Sequence, residues 1–230
     1  MSIEKPWNGR VMLVTGPTGG LGGAFARAAA ERGATVVLAG RRIRQVERLL
    51  DEIIALGSVD SAIYPINFEG ATPLDYEELF TTVERECGRL DLLFHGAAQF
   101  EGLMSIEQMG AESWLKPFQV NCHAAQWLTQ TALPLLLANK GQIVFPLEDP
   151  ERIQNAYWNA YGASKAAVAV IAHHYSEELE TRGVRVHEFH PGPMRTQLRA
   201  RAYFGEDANT IPTADSKLPP LLAAIQAHWS

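Results

Sequence analysis

The chain has 230 residues, 47% of them hydrophobic, and a formal net charge of -6. That length suits one α/β domain with a sizeable core, and the acidity argues against general nucleic-acid binding. No stretch approaches the roughly 20 apolar residues that span a bilayer, and Met1 to Trp7 carries no signal-peptide core. Cys87 and Cys122 stand alone, without zinc-site or disulfide spacing. These features lead us to expect a cytoplasmic protein without a metal centre, a membrane partner or a nucleic-acid partner.

Val11 to Val14 is an apolar run that leads into Thr15-Gly16-Pro17-Thr18-Gly19-Gly20-Leu21-Gly22 and then an alanine-rich segment. Strand, glycine turn and helix follow one another, the context a dinucleotide-binding loop requires. Gly16, Gly20 and Gly22 let backbone approach a pyrophosphate, and the helix start favours its charge. Thr18 and Leu21 belong to the same loop.

Thr35 to Ala39 predicts a second strand, ending at Gly40-Arg41-Arg42. An acidic residue here would take the ribose 2′-hydroxyl of NAD, whereas arginine accommodates the 2′-phosphate of NADP. No carboxylate is present, so Arg41 and Arg42 favour NADP over NAD; otherwise they only solvate the next helix. Apolar residues from Ile43 to Ile54 recur at helical spacing, predicting a helix over 42–56. A third strand is expected over 61–67, weakened by Pro65, with Asn67 and Phe68 at its nucleotide end. A helix over 74–87 then leads to the strand Asp91 to Phe94 and the turn His95-Gly96-Ala97-Ala98. Small side chains at Gly96 and Ala97 leave room for a nucleotide.

A long helical stretch over 112–139 contains Asn121, with Pro117 near its start and Pro134 expected to kink or interrupt its far end. Gln142 to Phe145 predicts a fifth strand, followed by Pro146-Leu147-Glu148-Asp149-Pro150. A second long helix, about 156–181, contains Tyr161 and Lys165, and Val184 to Phe189 predicts a sixth strand. The alternation argues for one doubly wound, three-layered α/β sheet of the Rossmann type, in a single domain over 1–230. The least regular portion, about 196–218, is expected to be a mobile flap on the substrate side. An apolar segment from Leu218 to Trp229 is followed only by Ser230, leaving no room for a seventh strand. The sixth strand is thus expected to be an edge needing cover by the last helix or a partner chain.

Tyr161 and Lys165 lie four apart and share one helix face. A nearby ammonium favours the phenolate, moving a phenol toward useful acid–base range. Taken together and in this order, the glycine loop, Asp91 to Ala98, Asn121, Tyr161-x-x-x-Lys165 and Pro191-Gly192-Pro193-Met194-Arg195-Thr196 resemble the short-chain dehydrogenase/reductase family from about residue 10 to 200. The resemblance implies a Rossmann fold that binds NADP or, less readily, NAD and interconverts small or medium carbonyls and alcohols. It implies that Tyr161 exchanges the proton, Lys165 holds the nicotinamide ribose and lowers the Tyr161 pKa, and Asn121 supports a relay water. It also implies that Pro191, Gly192, Met194 and Thr196 close over the nicotinamide, and that the long helices 112–139 and 156–181 pair in a homodimer.

The sequence departs from the family pattern at the serine that should precede the tyrosine. Counting back thirteen from Tyr161 reaches Glu148, and no serine or threonine occurs between Thr131 and Tyr161. An ionised carboxylate would repel a developing alkoxide, and loss of such a donor typically costs about 10²–10³ in rate. Glu148 could donate only if protonated, for which burial or a like-charged neighbour such as Asp149 would be needed. Three expectations stand open: Glu148 faces the pocket and slows carbonyl reduction, it binds a cationic substrate group, or both carboxylates point to solvent. An NADP-dependent oxidoreductase is expected, and the alternative is an impaired NADP-binding protein used for recognition or assembly.

Overall fold

The computed structural model describes residues 5–229. Six parallel strands form one sheet in the order β3-β2-β1-β4-β5-β6: β1 Val11–Thr15, β2 Thr35–Gly40, β3 Ala62–Pro65, β4 Leu92–Phe94, β5 Gln142–Pro146 and β6 Arg185–Phe189. The helices are α1 Gly20–Glu31, α2 Ile43–Ala55, α3 Pro73–Cys87, α4 Ala111–Pro117, α5 Ala124–Asn139, α6 Pro150–Ile153, α7 Asn159–Leu179, α8 Gln197–Ala202 and α9 Pro219–Trp229. Strands flanked by helices on both faces bury both sets of side chains, so the inner strands are apolar throughout rather than alternating. Met12, Val14, Phe94 and Val144 pack under α1, α2 and α9. Leu13, Leu93, Ile143 and Phe145 pack under α3, α5 and α7.

Strand order reverses between β1 and β4, each the start of an outward progression. In open sheets of this kind a crevice forms outside the carboxyl ends at that point, and ligands bind there. Thr15 fixes the crevice wall: its hydroxyl donates to the Phe94 carbonyl at 3.2 Å and accepts from the Ala97 N–H at 3.1 Å. The opposite end of the sheet is tied by Asp91. This residue precedes β4 instead of starting it, is fully buried, and accepts from Arg10, Arg89 and the Val11 N–H. It is a structural clasp remote from the crevice.

Several predicted elements need correction. The third strand spans only 62–65, because Asn67 turns the chain by accepting from the Glu69 N–H at 3.3 Å. Pro65 is tolerated because β3 is an edge strand, whose outer backbone needs no partner. The stretch 112–139 is α4, a π-helical turn at Phe118–His123, and α5. Pro134 does not interrupt α5, whose neighbouring Leu128, Ala132, Leu135 and Leu136 are buried and hold the segment helical. The second long helix covers 159–179, ending in a 3-10 turn at Glu180–Arg182.

Within the 196–218 segment Leu198, Ala202 and Tyr203 lie against Phe100 and Trp158, and Ala214 and Leu218 enter the main core, while 204–210 stay exposed. The edge strand β6 pairs with β5 alone. The last helix covers a sheet face beside it, where the Gln142 amide donates to the Ile225 carbonyl at 3.1 Å. Among the described residues no helix is long and apolar enough to cross a membrane, and no cluster of three His, Cys, Asp or Glu could hold a metal.

Candidate active site

The glycine loop joins β1 to α1 at the crevice. Gly16 has φ +60°, and a Cβ there would stand 2.5 Å from the Gly96 carbonyl oxygen. A Cβ on Gly22 would stand 2.5 Å from the Gly16 carbonyl oxygen. Both contacts involve backbone, so neither neighbour can simply rotate away, and the loop, α1 and the Gly96–Ala97 turn close on each other only as glycines. Gly19 precedes α1 without a side-chain cap, and the first turn carries no acidic residue. The initial N–H groups and helix dipole thus present a positive end to the crevice. Leu21 is buried, so it offers the crevice backbone only.

Arg41 lies at the end of β2, paired with Glu69 and donating to the Asn67 side chain at 3.3 Å. Arg42 is exposed at the start of α2. Phe68 turns into the core, stacked on Tyr76 with ring centroids 6.4 Å apart, so its side chain does not face a nucleotide. The segment after β6 turns at Gly192 (φ +67°), sends Met194 against the core, and crosses the glycine loop. Thr196 lies there, its methyl 2.8 Å from where a Gly20 Cβ would be. Its hydroxyl accepts from the Arg199 N–H at 3.1 Å, capping α8. A bare helix start, glycines at each close approach and a guanidinium beyond β2 together fit a dinucleotide with a 2′-phosphate.

Tyr161 and Lys165 project from α7 toward the carboxyl ends of β4 and β5. Lys165 is 9% exposed and donates to the Pro146 carbonyl at 2.7 Å. Burial pulls its pKa down to about 8. The Tyr161 hydroxyl donates to Glu148 Oε1 at 2.5 Å, and burial raises its pKa while the Arg152 charge opposes that rise. The cation acting on the phenol is Arg152, not Lys165. Asn121 sits in the π-helical turn, an irregularity frequent at functional sites. Its side chain exchanges hydrogen bonds with the Gln99 backbone and donates to Ser164 Oγ at 2.9 Å.

Between Asn121 and Lys165 lies a cavity of about 10 Å³, also lined by Thr15, His95 and Pro146. It has room for about one water with polar partners. His95 stacks on Phe145 and bonds Thr129 Oγ1 at 2.9 Å, and burial with the Lys165 charge lowers its pKa to about 3.

Glu148 is turned inward, which excludes the solvent-facing arrangement. Its second carboxylate oxygen pairs with Arg152, one turn along on α6. Asp149 is not the neighbour that conditions Glu148; its carboxylate accepts from the Glu151 N–H at 3.0 Å and caps α6. Sequence reasoning missed Arg152, Phe100 and Trp158, although Glu148 and Arg152 are spaced four apart as a helical ion pair would be. Gly162 lets α6 reach the site, since a Cβ there would meet the Ile153 carbonyl oxygen at 2.5 Å. Phe100 and Trp158 enclose the tyrosine ring, Phe100 edge-on at 5.0 Å.

Residues 10–206 match the family model described as short chain dehydrogenase. A relative from Escherichia coli strain K12, named an uncharacterized oxidoreductase, YciK, is 30% identical, covering 92% of this chain and 84% of its own. A short chain dehydrogenase structure from Pseudomonas syringae is 36% identical with a TM-score of 0.91, covering 98% of this chain and 92% of that one. Another, from Escherichia coli CFT073 and complexed with NADPH, is 30% identical with a TM-score of 0.91 and covers 97% and 93% of the two chains. The extent of these matches, with a six-stranded parallel sheet and the Tyr161–Lys165 pair at its switch point, shows that the chain belongs to the short-chain dehydrogenase/reductase family of oxidoreductases.

Proposed function

We propose that this protein is an NADP-dependent oxidoreductase, moving hydride between nicotinamide and a small or medium carbonyl or alcohol. The observation that carries this reading is the convergence of Tyr161, Lys165 and Asn121 beside the glycine loop at the sheet's switch point. NADP, when bound, supplies or accepts the hydride at nicotinamide C4. The chain's own groups do the rest: the α1 start with Gly16, Thr18, Gly20, Leu21 and Gly22 holds the pyrophosphate. Arg41 and Arg42, with Asn67 nearby, hold the 2′-phosphate. The Gly96–Ala97 turn and the segment through Pro191, Gly192, Met194 and Thr196 wall the nicotinamide side.

Lys165 binds the ribose hydroxyls on leaving the Pro146 carbonyl, and the cavity beside Asn121 stores a relay water behind it. The proton of the reaction is handled where Tyr161 meets Glu148. The solved relative with NADPH supports the choice of nucleotide, as does Arg41. The 196–218 segment forms the substrate-side wall through Leu198 and Tyr203.

A second reading, an NADP-binding protein with weak turnover, is favoured by one observation: the Tyr161 hydroxyl is already engaged by a carboxylate. NADPH fluorescence titration together with a panel of carbonyls and alcohols separates the two. Saturable NADPH binding, NADH binding at least tenfold weaker, and turnover of some panel member are expected. Binding without turnover selects the second reading, and failure of both nucleotides to bind contradicts both. We also place the protein in the cytoplasm as a homodimer paired through its long helices, where Trp114, Leu115, Trp127 and Val170 are exposed. Light scattering showing a monomer at working concentration would contradict the dimer.

A further inference from the structure

Resting on the oxidoreductase reading, we infer that Glu148 takes and returns the substrate proton, while Tyr161 remains a neutral phenol that hydrogen-bonds the reacting oxygen. The roles of tyrosine and of the missing serine are thereby exchanged, so that alcohol oxidation requires Glu148 ionised and carbonyl reduction requires it protonated.

The hydrogen bond itself sets the assignment. A phenol has one proton, and Tyr161 gives it to Glu148 Oε1 at 2.5 Å, so at this pair the carboxylate is the acceptor. A buried phenolate would need a cation of its own, whereas the Lys165 ammonium donates to the Pro146 carbonyl at 2.7 Å and, with NADP bound, to the ribose hydroxyls instead. The cation present, Arg152, is paired to the other Glu148 oxygen and stabilises the charge there. Phenols as a class titrate near pH 10, and burial raises Tyr161 further, so fewer than about one in a thousand is ionised at pH 7. The charged and titratable groups that meet Glu148 are Tyr161 from α7 and Arg152 from α6; Asp149 is turned away to cap α6.

The chemistry balances without a further reactant beyond NADP. An alcohol hydroxyl displaces the Tyr161–Glu148 hydrogen bond, accepting from the Tyr161 hydroxyl and donating to Glu148 Oε1 in its place. The carbinol C–H bond breaks with its electron pair, which passes as hydride to nicotinamide C4. The alcohol O–H bond breaks, its proton bonding to Glu148, and the substrate is left as a carbonyl while NADP⁺ becomes NADPH. Glu148 then releases the proton to solvent, to which its side chain is 17% exposed. In reverse, a carbonyl oxygen would face carboxylate lone pairs unless Glu148 is protonated, so reduction gains as pH falls. Arg152 is a positioning residue, holding the carboxylate in line; its Nε is buried without a hydrogen-bond partner.

The test measures NADP⁺-dependent alcohol oxidation and NADPH-dependent reduction against pH for wild type, Glu148→Gln, Glu148→Asp and Glu148→Ser, with NADPH binding followed by fluorescence in each. We expect Glu148→Gln to lose oxidation by about 100-fold or more, with NADPH affinity held within twofold. Wild-type oxidation should fall at acid pH; that limb should vanish in Glu148→Gln and persist in Glu148→Asp. Glu148→Ser should lower oxidation and reduction alike at a given pH and, like Glu148→Gln, lose the acid limb. Oxidation by Glu148→Gln or Glu148→Ser at the wild-type rate, or an unchanged acid limb in Glu148→Gln, overturns the role exchange. Wild type that binds NADPH but turns over nothing also overturns it. Wild type that binds neither nucleotide overturns the oxidoreductase reading beneath it.

Discussion

The crevice has two halves built by different means. Around α1 the nucleotide half is made of backbone: glycines whose Cβ positions are already occupied, an uncapped helix start, and one arginine beyond β2. The substrate half is made of side chains from the segment after β4, the β5–α6 connection, α6 and α7 with the residue before it, which meet only after folding: Phe100, Glu148, Arg152, Tyr161 and Trp158. A backbone cradle leaves little to vary, because an atom added at Gly16 or Gly22 collides with main chain. A side-chain cluster can exchange one polar group for another, as Glu148 for serine, and change the chemistry while the fold stands.

The largest expected effect tests the rigid half. Gly22→Ala places a methyl against the Gly16 carbonyl and should lower stability by about 2–3 kcal/mol and NADPH affinity by more than 100-fold, read by urea denaturation and fluorescence titration. Near-normal NADPH affinity would show that the cradle tolerates the clash. In the other half, Tyr161→Phe should reduce kcat by about 10²–10³ while leaving NADPH affinity within twofold. A matching loss of affinity would mean that the two halves are not separable.

That contrast also explains what could be read from the sequence. The alternation of strands and helices, the glycine loop and the Tyr161–Lys165 pair follow from local patterns: apolar runs, glycine spacing and an i,i+4 offset. Asn121 was visible as a residue, but not the π-helical turn that holds it, since no propensity marks an extra backbone residue in a helix. Asp91 looked like part of a strand because its neighbours are apolar; its clasp with Arg10 and Arg89 depends on where β1 and β4 begin. Glu148 was recognisable from its position, whereas its direction was not. Arg152 fixes that direction, and the approach of α6 that brings it there depends on Gly162.

His95 sharpens the comparison at the boundary between the halves. Unfolded histidine titrates near pH 6.5, but folded His95 resists protonation until about pH 3, because of burial first and Lys165 second. The unfolded state therefore binds more protons across that window. Stability is intact above pH 6.5 and falls by about 1.4 kcal/mol per unit as pH drops below it. His95→Asn should flatten this dependence, recovering about 2 kcal/mol of the loss between pH 7.5 and pH 5 in urea melts. An unchanged slope would place the acid sensitivity elsewhere, His187 being the next candidate, with burial lowering its pKa to about 4.

The smallest effect concerns the rim of the nucleotide half. Arg41→Ala should weaken NADPH by about tenfold, the worth of one charge-assisted hydrogen bond, and leave NADH unchanged. Equal weakening of both would assign Arg41 to general attraction rather than to the 2′-phosphate.

The most direct test is a crystal structure of the protein with NADP⁺. The account predicts the pyrophosphate at the start of α1, the 2′-phosphate at Arg41, and nicotinamide C4 facing the Tyr161 hydroxyl and the Glu148 carboxylate. A nucleotide bound away from Gly16 to Gly22, or a nicotinamide ring turned from Tyr161, would contradict it.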